Sequence, residues 1–127
     1  MKLFSIKPVY AHCDVPCGVY DPQQALIEAK SVYAIQTKLA DFEGDNRIRA
    51  IAIKEERAEL VKQHLMVLWA DYFKPEHLEK FPDLHDIFWK AIKQASSCKH
   101  HSEPEEGKQL ITQIEEIADI FAESKRA

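Results

Sequence analysis

Apolar residues recur every three or four positions along four stretches of this chain, which is the spacing of one buried face of an α-helix. The first stretch opens at Asp21 and Pro22, where a capping side chain and a first-turn proline precede the periodic positions. We predict a helix from there to about Ala40. Its inward face consists of Ala25, Ala29, Val32, Ile35 and Leu39.

A glycine, an aspartate and an asparagine at residues 44–46 interrupt this periodicity, so a second helix is predicted from about Arg47 to Tyr72. Pro75 ends it, because the residue before a proline disfavours the helical conformation. The inward face of the second helix consists of Ile51, Ala58, Val61, Leu65, Leu68 and Tyr72.

The third stretch contains a short turn at residues 76–80 and a main helix that begins near Pro82. Residues 96–101 are predicted to form a loop. A fourth helix starts after Ser102, which Pro104 and a glutamate follow at positions typical of a helix N-terminus. The inward residues of these last two helices are Leu84, Phe88, Ala91, Ile92, Ala95, Leu110, Ile114, Ile117 and Phe121.

Four amphipathic helices with short connections pack most simply as an up-and-down four-helix bundle, so the predicted fold class is all-α. The composition agrees, since 127 residues with only three glycines and six prolines lack the turns of an all-β domain. The net charge of -4, with basic residues dispersed among acidic ones, argues against nucleic-acid or membrane binding. No membrane span or secretory signal core is recognised, and a cytoplasmic protein is predicted.

Residues 12–20, His-Cys-Asp-Val-Pro-Cys-Gly-Val-Tyr, do not fit the helical pattern. The proline and the glycine favour a compact, irregular hook that turns Cys17 back toward Cys13 and brings two sulfur atoms within reach of one ion. The spacing alone leaves three interpretations open: a structural zinc site, a redox-active thiol pair, and ordinary free cysteines. Cys98, with His100 and His101, forms a second cluster to which we assign no role.

The segment from His12 to Pro22 resembles the N-terminal nickel hook of the nickel-containing superoxide dismutases. Residues 53–60 and 67–75 are also similar to that family's second helix and to its ending. The resemblance covers most of the chain after residue 11.

The resemblance implies a division of the chain. Residues 1–11 would be a leader that a leader peptidase removes after Ala11, and residues 12–127 would be the nickel superoxide dismutase domain. Within that domain, the hook occupies residues 12–20 and the helical bundle residues 21–127.

The resemblance also implies the metal ligands, which are His12, Cys13 and Cys17. One nickel ion per subunit would be held by the freed α-amine of His12, the amide nitrogen of Cys13 and the thiolates of Cys13 and Cys17, with the His12 imidazole as an axial ligand. Nitrogen and sulfur donors in a plane suit nickel. An uncleaved chain offers only a peptide nitrogen at His12, a much poorer donor, so processing is expected to control metal binding.

Glu28, Arg57 and Asp14 are implied as supports of the metal site. By resemblance, Glu28 and Arg57 form the network that holds the His12 imidazole near the metal, as metal-bound histidines usually require. From the periodicity alone, an ion pair with a purely structural role is favoured instead.

Tyr20, Tyr72 and Lys74 are implied as catalytic residues. In the family, the two tyrosines flank the approach to nickel, order water and limit access to small anions, and the lysine supplies positive charge that offsets the repulsion of superoxide. From the pattern alone, the tyrosines lie at the edge of the core with hydroxyls at the surface, and the lysine is solvated.

The resulting hypothesis is a superoxide dismutase that converts superoxide to oxygen and hydrogen peroxide by Ni(II)/Ni(III) cycling at the processed hook. The resemblance further implies a homohexamer. The alternative is a non-enzymatic helical module stapled by zinc through Cys13, Cys17 and either Cys98 or His12.

Overall fold

The computed structural model describes residues 19–126, and the regular elements in this part of the chain are helical. They are α1 (Gln23–Lys38), α2 (Gly44–Val67), α3 (Pro75–Lys80), α4 (Leu84–His100) and α5 (Pro104–Arg126). A 3-10 turn at Leu39–Asp41 follows α1, and a π-helical turn at Leu68–Tyr72 extends α2.

The four long helices enclose one hydrophobic core. Helix α1 packs on α2 and α5, and α4 packs on the same two helices, so each long helix has two neighbours. Short α3 connects the end of α2 to α4. The core residues repeat at spacings of three and four, and those of α5 are the predicted Leu110, Ile114, Ile117 and Phe121. The predicted all-α four-helix bundle is therefore confirmed.

Helix α2 begins three residues earlier than its predicted start at Arg47. Its first residue is Gly44, with φ of 54°, a conformation that glycine adopts at little cost because it lacks a Cβ. Glu43, the residue before, is extended. The chain therefore changes direction between these two residues, and the triplet at 44–46 forms the first turn of α2 instead of separating two helices.

The prediction of a loop at residues 96–101 is wrong, because α4 continues to His100. Cys98 follows Ala91 and Ala95 on the buried face of α4 and is fully buried. The two serines and the charged residues around Cys98 obscured this face in the sequence. The second cysteine and histidine cluster is therefore the end of a helix and not a loop.

A buried lysine from α2 caps the end of α4. The Nζ of Lys54 donates to the carbonyl oxygens of Lys99 at 3.2 Å and His101 at 2.7 Å. Gln36 of α1 donates to the same His101 oxygen at 3.3 Å. Lys54 is 1% exposed, and desolvation lowers the pKa of its ammonium group. The inward face predicted for α2 omitted Lys54 because it is charged, although the spacing of that face includes its position.

The two tryptophans of the chain differ in their exposure. Trp69 lies against Phe88 and His85, with ring centroids 5.1 and 4.6 Å apart. Trp89, in contrast, is 59% exposed. It follows the buried Phe88 directly, and one residue turns a side chain about 100° around a helix, away from the core.

Candidate metal centre

The predicted ligands His12, Cys13 and Cys17, and the neighbouring Asp14, lie outside the described residues. The described chain begins at Val19, two residues after Cys17. The remaining predicted site residues, Tyr20, Glu28, Arg57, Tyr72 and Lys74, belong to the described part of the chain.

Tyr20 fixes the start of the described chain against the bundle. It is 9% exposed, and its ring centroid lies 5.6 Å from that of Tyr72, at the end of the π-helical turn. Tyr72 also packs on Phe121 of α5 at 4.6 Å and stacks almost parallel on His77 of α3 at 5.5 Å. We call Tyr20, Tyr72, His77 and Phe121 the tyrosine junction. This junction brings the two predicted tyrosines together where the hook joins the helices.

The hydroxyl of Tyr72 is hydrogen-bonded inside the protein, so the pattern-based expectation of a surface hydroxyl is wrong for this residue. Its oxygen lies 2.7 Å from the Oγ of Ser124, a residue of α5 that is 7% exposed. Ser124 in turn donates to the carbonyl oxygen of Phe121 at 2.6 Å. Sequence reasoning missed Ser124, although its place three residues after Phe121 continues the inward face of α5.

Lys74 lies two residues after Tyr72, at the start of α3, and is exposed. Its backbone N–H donates to the Nδ1 of His77 at 2.9 Å. This bond fixes the orientation of the imidazole that stacks on Tyr72. The positive charge of Lys74 is thus in solvent next to the tyrosine junction.

Glu28 and Arg57 form an ion pair across α1 and α2. The Nη1 of Arg57 lies 3.1 Å from the Oε2 of Glu28, and the side chains are 39% and 16% exposed, respectively. His64 of α2 is close enough for the Glu28 charge to act on it. Burial lowers the pKa of His64, and the Glu28 carboxylate opposes this shift. His64 follows Val61 by three residues, which places it near the inward face of α2.

The predicted site residues are thus brought together in two groups that lie apart. Arg57 and Tyr72 are separated by about 20 Å along α2 and its π-helical extension, at 1.5 Å per residue. Glu28 is about 8 Å from the beginning of α1 by the same measure. The tyrosine junction and the ion pair are therefore separate features of the described bundle.

Cys98 is not an available metal ligand. It is fully buried, and desolvation raises the pKa of its thiol to about 11, so the sulfur stays protonated at neutral pH. Within residues 19–126, no three or more histidine, cysteine, aspartate or glutamate side chains are grouped as a metal site. The described helices therefore offer no complete alternative to the hook.

Comparison with known proteins identifies the family. A sequence profile of the nickel-containing superoxide dismutases matches residues 7–125. The chain belongs to this family. It is 52% identical to the superoxide dismutase [Ni] of Streptomyces seoulensis, over 99% of this chain and 98% of the relative.

Solved structures of nickel superoxide dismutases have the same fold. The native structure at 1.30 Å has a TM-score of 0.89 and 50% identity, and the match covers 91% of this chain and 100% of that one. A variant with its first-position histidine replaced by alanine has a TM-score of 0.82 and 47% identity, over 84% of this chain and 99% of its own.

Membership of the nickel superoxide dismutase family confirms the predicted enzyme class, the superoxide substrate and the nickel cofactor. The alternative of a zinc-stapled module is not supported. In the described part of the chain, no helix has both the length and the apolar character needed to cross a membrane.

Proposed function

We propose that this chain, after removal of residues 1–11, converts two superoxide ions and two protons to oxygen and hydrogen peroxide at its N-terminal hook. The observation that carries the proposal is 52% identity to a superoxide dismutase [Ni] over 99% of the chain. Nickel, when bound, supplies the one-electron chemistry by alternating between Ni(II) and Ni(III). The protons come from solvent. We also propose a cytoplasmic location, where a reducing environment keeps thiols free.

The donors of the hook fit nickel. Nickel would be held by the thiolates of Cys13 and Cys17, the amide nitrogen of Cys13, and the amine and imidazole of His12, a combination of soft sulfur and nitrogen donors that suits this ion. Thiolate and amide donors carry negative charge and so stabilise the higher oxidation state. The remaining cysteine of the chain, Cys98, is protonated in the core and does not compete.

Two observations support removal of the leader. The whole chain of the native solved relative matches 91% of this chain, and the remaining 9% of 127 residues is about 11 residues, the length of the predicted leader. Another solved relative is described as a variant of a first-position histidine. In this chain, cleavage after Ala11 would place His12 first.

We propose that Glu28 and Arg57 hold the His12 imidazole. The ion pair is accessible, and Glu28 lies only about 8 Å along α1. The seven residues 12–18 span up to about 23 Å when extended, a length sufficient to reach Glu28. A carboxylate that accepts the second imidazole N–H fixes the ring and raises its strength as a ligand. Asp14, between the two hook cysteines, is proposed as a further support.

Tyr20 and Tyr72 are proposed to flank the approach to the metal. Tyr20 is only three residues after Cys17, and its packing against Tyr72 holds both phenols where the hook joins the bundle. Rigid aromatic walls at this place limit access to small anions. Lys74, exposed beside the junction, supplies positive charge in a chain of net charge -4.

Replacement of single cysteines tests the proposal. Cys13→Ser and Cys17→Ser, each in the chain that starts at His12, should lose stoichiometric nickel and superoxide removal together, because an alcohol stays protonated and is too hard a donor. Cys98→Ser is the matched control and should keep both properties. Nickel content and superoxide decay are measured on the same samples. Full activity in either hook variant would overturn the assignment.

We further propose that the active form is a homohexamer. Large apolar side chains remain exposed on the described part of the chain, which supports burial in an assembly. Sedimentation equilibrium of the processed, nickel-loaded chain should give six times the subunit mass, whereas a monomer or dimer at the concentrations of the activity assay would contradict the proposal. The exposed residues are Val19, Ile27, Ile48, Ile53, Met66 and Trp89.

A further inference from the structure

The hydroxyl groups of Tyr72 and Ser124 are in hydrogen-bond contact, and the second contact of Ser124 bears on which of them donates. A serine hydroxyl carries one proton, and Ser124 directs it to the carbonyl oxygen of Phe121, 2.6 Å away. A carbonyl oxygen cannot donate, so no other arrangement places a proton between these two atoms. With the serine proton on the Phe121 carbonyl, the 2.7 Å contact between Ser124 Oγ and the Tyr72 hydroxyl uses the tyrosine proton.

The tyrosine proton is held inside the bundle. Ser124 is 7% exposed, and the bond joins the end of α2 to the last turns of α5. A phenol has only one proton, so a Tyr72 hydroxyl bonded to Ser124 has lone pairs left and nothing to donate. It can accept a hydrogen bond from water or an ammonium group, but it cannot donate one to an anion.

Packing also restricts the rotation of the Tyr72 ring. The His77 imidazole stacks on Tyr72 with planes 7° apart, and Phe121 lies at 4.6 Å. The ring therefore cannot turn its hydroxyl toward another acceptor without breaking these contacts.

We infer that Ser124 is a positioning residue for Tyr72. Ser124 accepts the hydrogen bond of the Tyr72 hydroxyl, so that this hydroxyl presents only its lone pairs to molecules that approach the metal. The inference rests on the proposed function, in which Tyr72 flanks the path to nickel. On that path, a phenol that only accepts hydrogen bonds can order water. It donates no hydrogen bond to an anion, which such a bond would otherwise retain near the metal. Ser124 thus contributes to selection at the site through Tyr72, without touching substrate.

Raman spectroscopy tests the direction of the bond, with or without nickel. The intensity ratio of the tyrosine Fermi doublet distinguishes a donating phenol from one that accepts or is free. The difference between the unmodified chain and Tyr72→Phe isolates the signal of Tyr72 from those of the other tyrosines. This difference spectrum should show the intensity ratio of a phenol that donates a strong hydrogen bond. The difference between Ser124→Ala and the double variant Ser124→Ala/Tyr72→Phe should lack that signature.

Azide binding to the processed, nickel-loaded chain tests whether the Tyr72 hydroxyl is prevented from donating to an anion. In Ser124→Ala the phenol proton is free to bond an anion, and azide should bind about fivefold more tightly, the value of one ordinary hydrogen bond. Tyr72→Phe should abolish this gain in the double variant. Ser124→Thr keeps a hydroxyl that can bond the Phe121 carbonyl and should restore the original affinity. Ser31→Ala, which removes a serine hydroxyl bonded only to its own helix at Ile27, is the control and should change nothing.

The results separate this inference from the proposed function. An unchanged azide affinity and an unchanged tyrosine doublet in Ser124→Ala overturn the role of Ser124. If Tyr72→Phe still alters superoxide removal in that case, the proposed role of Tyr72 stands and only the inference fails. If Tyr72→Phe alters neither azide binding nor superoxide removal, the role of Tyr72 falls, and the inference falls with it.

Discussion

At the residue scale, burial decides which cysteines can serve as ligands. Cys98 has no exposed surface, and its pKa is raised from 9.0 to about 11, mainly because the core does not solvate a thiolate. Cys13 and Cys17 belong to a short segment with an aspartate, a proline and a glycine, which is unsuited to a helical core. The same residue type is therefore a core residue at one position and the proposed metal ligand at two others.

The raised pKa of Cys98 predicts a loss of stability in alkali. Below pH 9 the thiol is protonated in both states. Between pH 9 and about 11 the unfolded chain loses the proton and the folded chain keeps it, so stability falls as pH rises. The expected loss over this range is about 2–3 kcal/mol in the unfolding free energy of the reduced, nickel-free chain.

Cys98→Ala is the comparison for this measurement, because it keeps the fold and removes the titrating group. Its unfolding free energy should lack this pH-dependent loss, although its stability is lower at every pH from the lost packing. Lys54, whose lowered pKa acts in the opposite direction, is present in both chains. Urea unfolding across the alkaline range gives both curves. Parallel curves would show that Cys98 does not carry the effect.

At the element scale, the bundle depends on a close approach of α1 and α5. A Cβ added at Gly107 would lie 2.9 Å from the Cα of Tyr33 and would also meet the side-chain oxygen of Gln36. Gln36 could move, but Tyr33 Cα is backbone. Gly107 therefore sets the distance between α1, which begins three residues after Tyr20, and α5, which contains Ser124 near its end.

Gly107→Ala should destabilise the protein by about 1–2 kcal/mol, because overpacking against backbone outweighs the gain in helix propensity of about 1 kcal/mol. The midpoint of urea unfolding measures the change. Ala122→Gly, on the exposed face of the same helix, is the control. Its free energy of unfolding should fall only by the difference in helix propensity between alanine and glycine. An increase in stability for Gly107→Ala would mean that the two helices separate at no cost.

The sequence predicted those features of the elements that depend on local spacing. The buried faces of α4 and α5 follow from apolar residues three and four apart, and most of each predicted face is buried in the structure. The end of α4 was mispredicted because its cap is supplied by Lys54, far away in the sequence. The bond between Tyr72 and Ser124 was missed for the same reason, since 52 residues separate its partners.

At the scale of the whole molecule, folding and metal binding are carried by different parts of the chain. The hydrophobic core described here runs from Tyr20 to Phe121, and its residues come from all four long helices and their connections. The predicted ligands precede this core in the sequence. We therefore expect processing of the N-terminus to change activity without changing the fold.

The most direct test compares the chain that starts at His12 with one that retains Ala11 as a single preceding residue. Both should show the same helical circular dichroism spectrum, because the core is unaffected. With nickel added, the chain starting at His12 should remove superoxide, and the longer chain should lose most of this activity because its first ligand is an amide instead of an amine. Equal activity of the two chains, with the retained residue verified by mass spectrometry, would contradict the proposed metal site.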